Sequence, residues 1–269
     1  MVVLTNTMFN FFRKKPIARW YSLERGLEDV WPVIPAASVK RNWRTKSQNP
    51  NPEHGSNYTK NCPGMNLLMS AGWVITVPAD FKITTNGDGI HFDFLESVRF
   101  QNEKAFDATY IGFHDQEQSE RILDDPKKNL KTVVKVHTPW RVEIDPNYFL
   151  IQMPVHYNNE DRFTPATGIL DPSYSHEINV QLFWHVMEGE TLIKAGTPLV
   201  QYIPIHKNAY MSNQFDFSCV PATEDDRKLE RAFDYALRSV FQQQTDILKS
   251  RLDRVRKVMH KYRSKRSKK

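Results

Sequence analysis

Across residues 178–186 apolar and polar side chains alternate without a break. Ile178, Val180, Leu182, Trp184 and Val186 fall on one side, and Asn179, Gln181, Phe183 and His185 on the other. That is the period of a strand with one buried face. Met187-Glu188-Gly189-Glu190 then reads as a turn, Lys194-Ala195-Gly196 as a second, and residues 199–205 as a returning strand closed by Pro204. The same period runs through much of the preceding chain. Trp73, Ile75 and Val77 alternate with Val74 and Thr76, while Phe81, Ile83 and Thr85 face Ile90, Phe92 and Phe94 across Asn86-Gly87-Asp88-Gly89. Gly and Asn accept positive φ, so this second pattern predicts a hairpin. Alternation resumes in residues 132–138, 141–144 and 148–155, interrupted by Pro139 and by Asp145-Pro146-Asn147. Strands divided by such turns at this spacing predict an all-β sandwich or barrel.

The two flanks read differently. An apolar run at residues 8–12 precedes Arg13-Lys14-Lys15-Pro16 and predicts a short segment docked on the body or on a neighbouring subunit, with an interfacial membrane anchor as the alternative. Residues 16–60 mix Trp20, Tyr21, Trp31 and Trp43 with prolines and a polar stretch, the texture of an extended arm and then a flexible loop. After Pro221, Thr223 supplies a cap and Glu224, Asp225 and Asp226 suit the positive end of a helix dipole. Phe241, Thr245, Leu248, Leu252, Val255, Met259 and Tyr262 then recur at steps of four and three, the seam of a coiled coil or a docked helix. The expected organisation is an N-terminal arm and loop (1–61), a β domain (62–220) and a basic C-terminal helix (221–269).

Charge sharpens that division. Residues 227–269 hold 15 Lys and Arg against four acids, whereas the first 226 residues hold 22 against 27. The basic excess therefore lies in the tail, which makes nucleic acid or a neighbouring subunit's acidic surface its expected partner. No stretch reaches the roughly 18–20 apolar residues a membrane span needs, so no transmembrane segment is expected. Cys62 and Cys219 lie far apart without metal-type spacing, as suits a reducing compartment.

GILDPSYSHEINVQLF at residues 168–183, followed by IKAGTPLVQYIPI at 193–205, resembles the third and fourth motifs of dUTP pyrophosphatases and dCTP deaminases, trimeric β-clip enzymes. TPWRVEIDPNYFLIQMP at 138–154 resembles the strand pair that precedes those motifs, so the likeness covers roughly residues 132–205. It implies a mainly β, β-clip-like barrel or sandwich. It also implies that Asp171 orients and deprotonates the attacking water, that Tyr174 lies against the deoxyribose and that Gln201 fills the glutamine of the later motif. Several positions depart from the pattern. Pro198 stands where the family has arginine, no Arg-Ser-Ser phosphate motif occurs between residues 152 and 167, and no Gly-rich arm follows. A hydrolase would use Mg²⁺, with Arg162 supplying charge from an altered phosphate loop. Gln181 occupies the place of the deaminases' general-base glutamate, and an amide cannot shuttle that proton.

The chain as a whole resembles a family of tailed-phage proteins on CPGMNLLMSAGWVITVPADFKI, HTPWRVEI, FTPATGILDP, NVQLFWHV and GTPLVQYIPI. That implies a virus-encoded protein in the bacterial cytoplasm and imports no activity. Together these readings predict a binding or assembly protein, homo-oligomeric, on a catalytically incomplete dUTPase-like scaffold. One alternative is a pyrophosphatase acting on a noncanonical deoxynucleoside triphosphate. A second is a non-haem iron oxygenase. There His91 and Asp93 would share a strand face and His137, His176 or His185 would complete a two-His-one-carboxylate set.

Overall fold

The computed structural model describes residues 15–43, 62–102, 105–114, 117, 128–238 and 257. The apolar run at 8–12, the polar loop beyond residue 43 and the helical seam from Phe241 to Tyr262 lie outside the described residues. Contacts divide the chain into two compact units, Met1–Arg41 with Leu68–Gln214, and Asn42–Leu67 with Phe215–Lys269.

The first unit is built from antiparallel sheets. Its strands are β1 (Ala18–Ser22), β2 (Ile34–Pro35), β3 (Trp73–Thr76), β4 (Phe81–Asn86), β5 (Phe92–Glu96), β6 (Phe100–Asn102), β7 (Ala105–Ala108), β8 (Ile111–His114), β9 (Val133–Ile144), β10 (Tyr148–Met153), β11 (Phe163–Pro165), β12 (Gly168–Leu170), β13 (Glu177–Trp184), β14 (Glu188–Ile193) and β15 (Pro198–His206). One sheet runs β1-β9-β13-β11 with β8 also on β9, and a second runs β12-β10-β15-β3-β2. A third runs β14-β4-β5, and β6 pairs with β7. The mainly β expectation is met, but among the described residues no sheet closes into a barrel. Ile178, Val180, Leu182 and Trp184 are all buried, as their alternation predicts. They join Val134, Val136 and Trp140 from β9, Phe81 and Ile83 from β4, and Leu150, Val200 and Tyr202 from β10 and β15 in a single core.

Three local readings change. Residues 188–190 are not a turn but the start of β14, which pairs with β4 from Glu188↔Asn86 to Ile193↔Phe81. Residues 178–205 therefore do not form a strand and its return. β13 lies beside β9 and β11, β14 beside β4, and β15 between β10 and β3. Pro139 does not end a strand either. It sits inside β9 where the register against β13 jumps from Glu177↔Arg141 to Asn179↔His137, and a bulge tolerates a residue without an N–H. Pro204 likewise lies within β15, past Tyr202↔Trp73, where β3 no longer pairs with it.

The hairpin and the turn at residues 194–196 are as expected. The hairpin forms with Thr85↔Phe92 and Ile83↔Phe94 in register. Gly196 closes the 194–197 turn at φ 83°, with the Thr197 N–H donating to the Lys194 carbonyl. Gly72 meets a steric demand: a Cβ there would lie 1.9 Å from the Tyr202 carbonyl oxygen. The extended arm contributes β1, paired with β9 from Ala18↔Ile144 to Ser22↔Trp140. Trp20 on that strand packs against Trp73 and Tyr202.

α1 spans Leu27–Val30, α2 Pro63–Ser70 and α3 Glu224–Arg238. In the second unit, α3 carries Glu224, Asp225 and Asp226 in its first turn, as the capping pattern predicts. The Thr223 hydroxyl accepts from the Asp226 N–H at 3.3 Å. This helix is 15 residues long, and beyond it the basic helix expected over 221–269, apart from residue 257, falls outside the described residues. Cys62 and Cys219 are free and exposed. Among the described residues no helix is long and apolar enough to cross a membrane.

Candidate functional site

β12 delivers the chain into a tight turn at Asp171. One carboxylate oxygen accepts from the Ser173 N–H at 3.0 Å and from its hydroxyl at 2.7 Å. The other accepts from the Lys207 ammonium at 2.8 Å. The backbone closes in the same place, with the Tyr174 and Ser175 N–H groups both donating to the Asp171 carbonyl. Partial burial raises the pKa of this carboxyl. The Lys207 and Ser173 donors outweigh that effect and hold the group below its ordinary value. Lys207 is itself fixed, with its ammonium 4.6 Å from the centre of the Phe149 ring. Asp171 is thus an ionised, weakly basic carboxylate with donors on both oxygens.

Tyr174 follows on the same turn and is 91% exposed. The other two predicted site residues lie elsewhere. Gln201 occupies the middle of β15 with no exposed surface. Its amide N–H₂ donates to the carbonyls of Leu68 (2.9 Å) and Ala71 (2.8 Å), tying down the C-terminal end of α2. Arg162 precedes β11 and forms a two-point pair with Glu160, at 2.7 Å and 2.6 Å. Its remaining donor reaches the Leu192 carbonyl on β14 at 2.9 Å. The Glu160 carboxylate pushes the guanidinium pKa up, so the charge is permanent but neutralised locally. Asp171 and Tyr174 are brought together, whereas the side chains of Gln201 and Arg162 have separate partners.

A cleft of about 340 Å³ lies beside the Asp171 turn. Val142, Ile144, Pro146 and Pro172 line it with Ser173 and His176, and Tyr21 of the arm completes the wall. The second cleft, of about 310 Å³, lies under the loop joining β10 to β11. Sequence reasoning treated that loop only as a missing phosphate motif. It contains Tyr157 and Asn159 at φ 58° and 55°. Left-handed backbone at a residue with a Cβ costs of order 1–3 kcal/mol, and a bulky aromatic is an unusual occupant. The loop is held from both sides. Arg41, a buried side chain, donates to the His156 carbonyl at 3.1 Å, and the Arg162–Glu160 pair grips the other end. The available signal was Asn158-Asn159 itself, since Asn is enriched at positive φ.

The oxygenase geometry does not form. His91 lies in the hairpin loop and not on β5, with its ring 2.6 Å from Asp88. The His91 N–H, the His91 ring and the Ile90 N–H hold the Asp88 carboxyl far below its ordinary value. His137 pairs with Asn179, and His185 with Thr164 and Asn129. Burial pushes both imidazoles down. Among the described residues no three His, Cys, Asp or Glu side chains gather as a metal set. Gln181 lies on the outward side of β13 in register with Lys135.

No protein-family model matches the chain, and no curated protein does. Among solved structures it is similar to a mutant dUTPase from phage phi11 of S. aureus, with a TM-score of 0.31 and 8% identity over 77% of this chain and 97% of that one. A likeness of that degree assigns neither family nor activity.

Proposed function

We propose that this is a binding or assembly protein, phage-encoded and homo-oligomeric, whose dUTPase-like scaffold lacks a working pyrophosphatase centre. The state of Asp171 carries this reading. A water-activating carboxylate needs basicity and an oxygen open to the water, and this one is depressed in pKa with Lys207 and Ser173 donating to its two oxygens. Phosphoryl chemistry also needs cations facing the developing charge. Arg162 is neutralised by Glu160 and Pro198 offers none.

The competing reading, hydrolysis of a noncanonical deoxynucleoside triphosphate, has one feature in its favour. Asp171 and Tyr174 share a turn beside a cleft of about 340 Å³. A Mg²⁺ ion brought with the triphosphate would supply charge neutralisation for its phosphates there. The deciding assay is pyrophosphate release from a panel of canonical and modified deoxynucleoside triphosphates with Mg²⁺. The expected result is release no faster than the protein-free blank. Release that disappears in Asp171→Asn would establish the hydrolase instead.

A further inference from the structure

We infer that the outer face of the second sheet, across β12, β10 and β15, is the docking surface for the apolar run at residues 8–12 of the same chain. The inference goes beyond the reading above and holds whether or not Asp171 is catalytic.

Register builds the face. Ile169 on β12 stands opposite Ile151 on β10, which in turn stands opposite Ile203 on β15. Directly paired residues point to the same side of an antiparallel sheet, so the three isoleucines form one row. Phe149 and Ile205 pair two positions along on that side, and Met153 lies there too. On the opposite side Leu150 and Tyr202 are buried in the core. The isoleucine row has no such cover. Ile169 is 43% exposed, and Ile151, Ile203 and Ile205 are half-buried.

Both ends of the row are already occupied. At one end Gln201, on the same side of β15, is covered by the end of α2 through its bonds to Leu68 and Ala71. At the other, Lys207 lies over the Phe149 ring while paired with Asp171, and Tyr210 packs edge-on against that ring. Between them is a strip of branched aliphatic side chains. Such a strip offers a polar ligand nothing to bond and gains from covering by apolar side chains.

The path of the chain selects the occupant. Lys15 is the first described residue, and two residues later the Ile17 carbonyl accepts from the Asp145 N–H at 2.9 Å. Asp145 begins the turn into β10, and the Asn147 carbonyl of that turn accepts from the Lys207 N–H. The segment preceding Ile17 is therefore tethered at the end of this same sheet. Seven residues separate Asn10 from Ile17, a reach of about 24 Å when extended. Ile151 lies six residues past Asp145, at most about 20 Å along β10. Met8, Phe9, Phe11 and Phe12 can then cover the width of three strands, about 10 Å. Charge agrees with this path. Arg13, Lys14 and Lys15 would pass Asp145, whose carboxylate accepts from Asn147 and has no ion pair among the described residues.

Disulfide trapping on the full chain tests the docking. Cys62 and Cys219, free and exposed, are first replaced by Ser. Asn10→Cys, which keeps every apolar residue of the run, is then combined with Ile169→Cys. The control pairs Asn10→Cys with Leu95→Cys, a position 65% exposed on β5 of the third sheet. Under mild oxidant, peptide mapping is expected to show an intramolecular 10–169 bond forming at least tenfold faster than a 10–95 bond. Replacing Phe9, Phe11 and Phe12 together by Ser keeps the tether and removes the apolar side chains. It is expected to bring the two rates within about twofold of each other.

Equal rates at positions 169 and 95 in the parent run would overturn the proposal. So would a preference for 169 that survives the triple Ser variant, because the tether alone would then account for it. A 10–169 bond that joins two chains on a non-reducing gel would overturn docking within the chain and place the run on a neighbouring copy. None of these outcomes bears on pyrophosphate release, so this inference and the non-catalytic reading fail separately.

Discussion

Gln201 offers a quantitative test of whether a glutamine expected at a nucleotide instead holds the fold together. Its side chain is fully buried, and its amide nitrogen bridges the Leu68 and Ala71 carbonyls at 2.9 Å and 2.8 Å. The last carbonyls of any helix lack intrahelical donors, so this glutamine serves as a cap supplied from a strand. In Gln201→Leu the Leu68 carbonyl keeps the Ala71 N–H at 3.3 Å, but the Ala71 carbonyl loses the donor bonded to it here. An unsatisfied buried carbonyl costs about 1–3 kcal/mol. Part of that is offset, because the Gln201 carbonyl oxygen is itself buried without a partner and its removal relieves a penalty. The expected net loss is therefore about 1 kcal/mol. Gln201→Glu should be worse, roughly 4 kcal/mol, because a carboxylate would face two carbonyl oxygens in a dry site. Urea unfolding followed by far-UV circular dichroism measures both midpoints. Losses below about 0.5 kcal/mol, or a Glu variant as stable as the Leu variant, would refute the capping argument.

Two further outcomes follow, one from the Asp171 turn and one from the charge of the C-terminal sequence. Asp171→Asn removes the Lys207 ion pair and is expected to cost roughly 1 kcal/mol at neutral pH. Because the folded carboxyl titrates below its unfolded value, its contribution is present above the unfolded pKa and is lost as pH falls through the folded one. Urea midpoints of parent and variant should therefore differ at pH 7 and converge in acid, and a gap that persists in acid would contradict the pairing. Residues 249–269 hold 11 Lys and Arg against one Asp. Duplex DNA binding that weakens steeply with salt is expected of the full chain and should be lost when these residues are deleted. Equal binding by the truncated chain in a filter or mobility-shift assay would eliminate the tail as the contact.

The candidate site was only partly legible in the sequence. The Asp171 turn could be read, because an Asp-Pro-Ser run closes locally, and its own Ser173 and Tyr174 supply the bonds. Its chemistry could not. The lysine that depresses its pKa lies 36 residues further along, and only the packing of β15 beside β10 brings the two together. Gln201 shows the opposite failure. A motif position suggested a ligand, yet the side chain faces the end of a helix that no local pattern connects to β15. Arg162 was read as an available cation because Glu160, two residues away, gives no sign in sequence that it will fold back on the guanidinium.

Local chemistry alone determined the elements whose cause lies within a few residues. The alternation in β13, the Asn-Gly-Asp-Gly hairpin between β4 and β5 and the acid-capped start of α3 are of this kind. Each depends on side-chain period or turn stereochemistry, which the neighbouring residues carry. Tertiary structure decided the rest. It placed β13, β14 and β15 in three different sheets, kept β9 continuous through Pro139 and held Tyr157 in a left-handed conformation. Strand partners are chosen by burial and hydrogen bonding across the whole chain, and strain at one residue persists only where distant anchors such as Arg41 hold it.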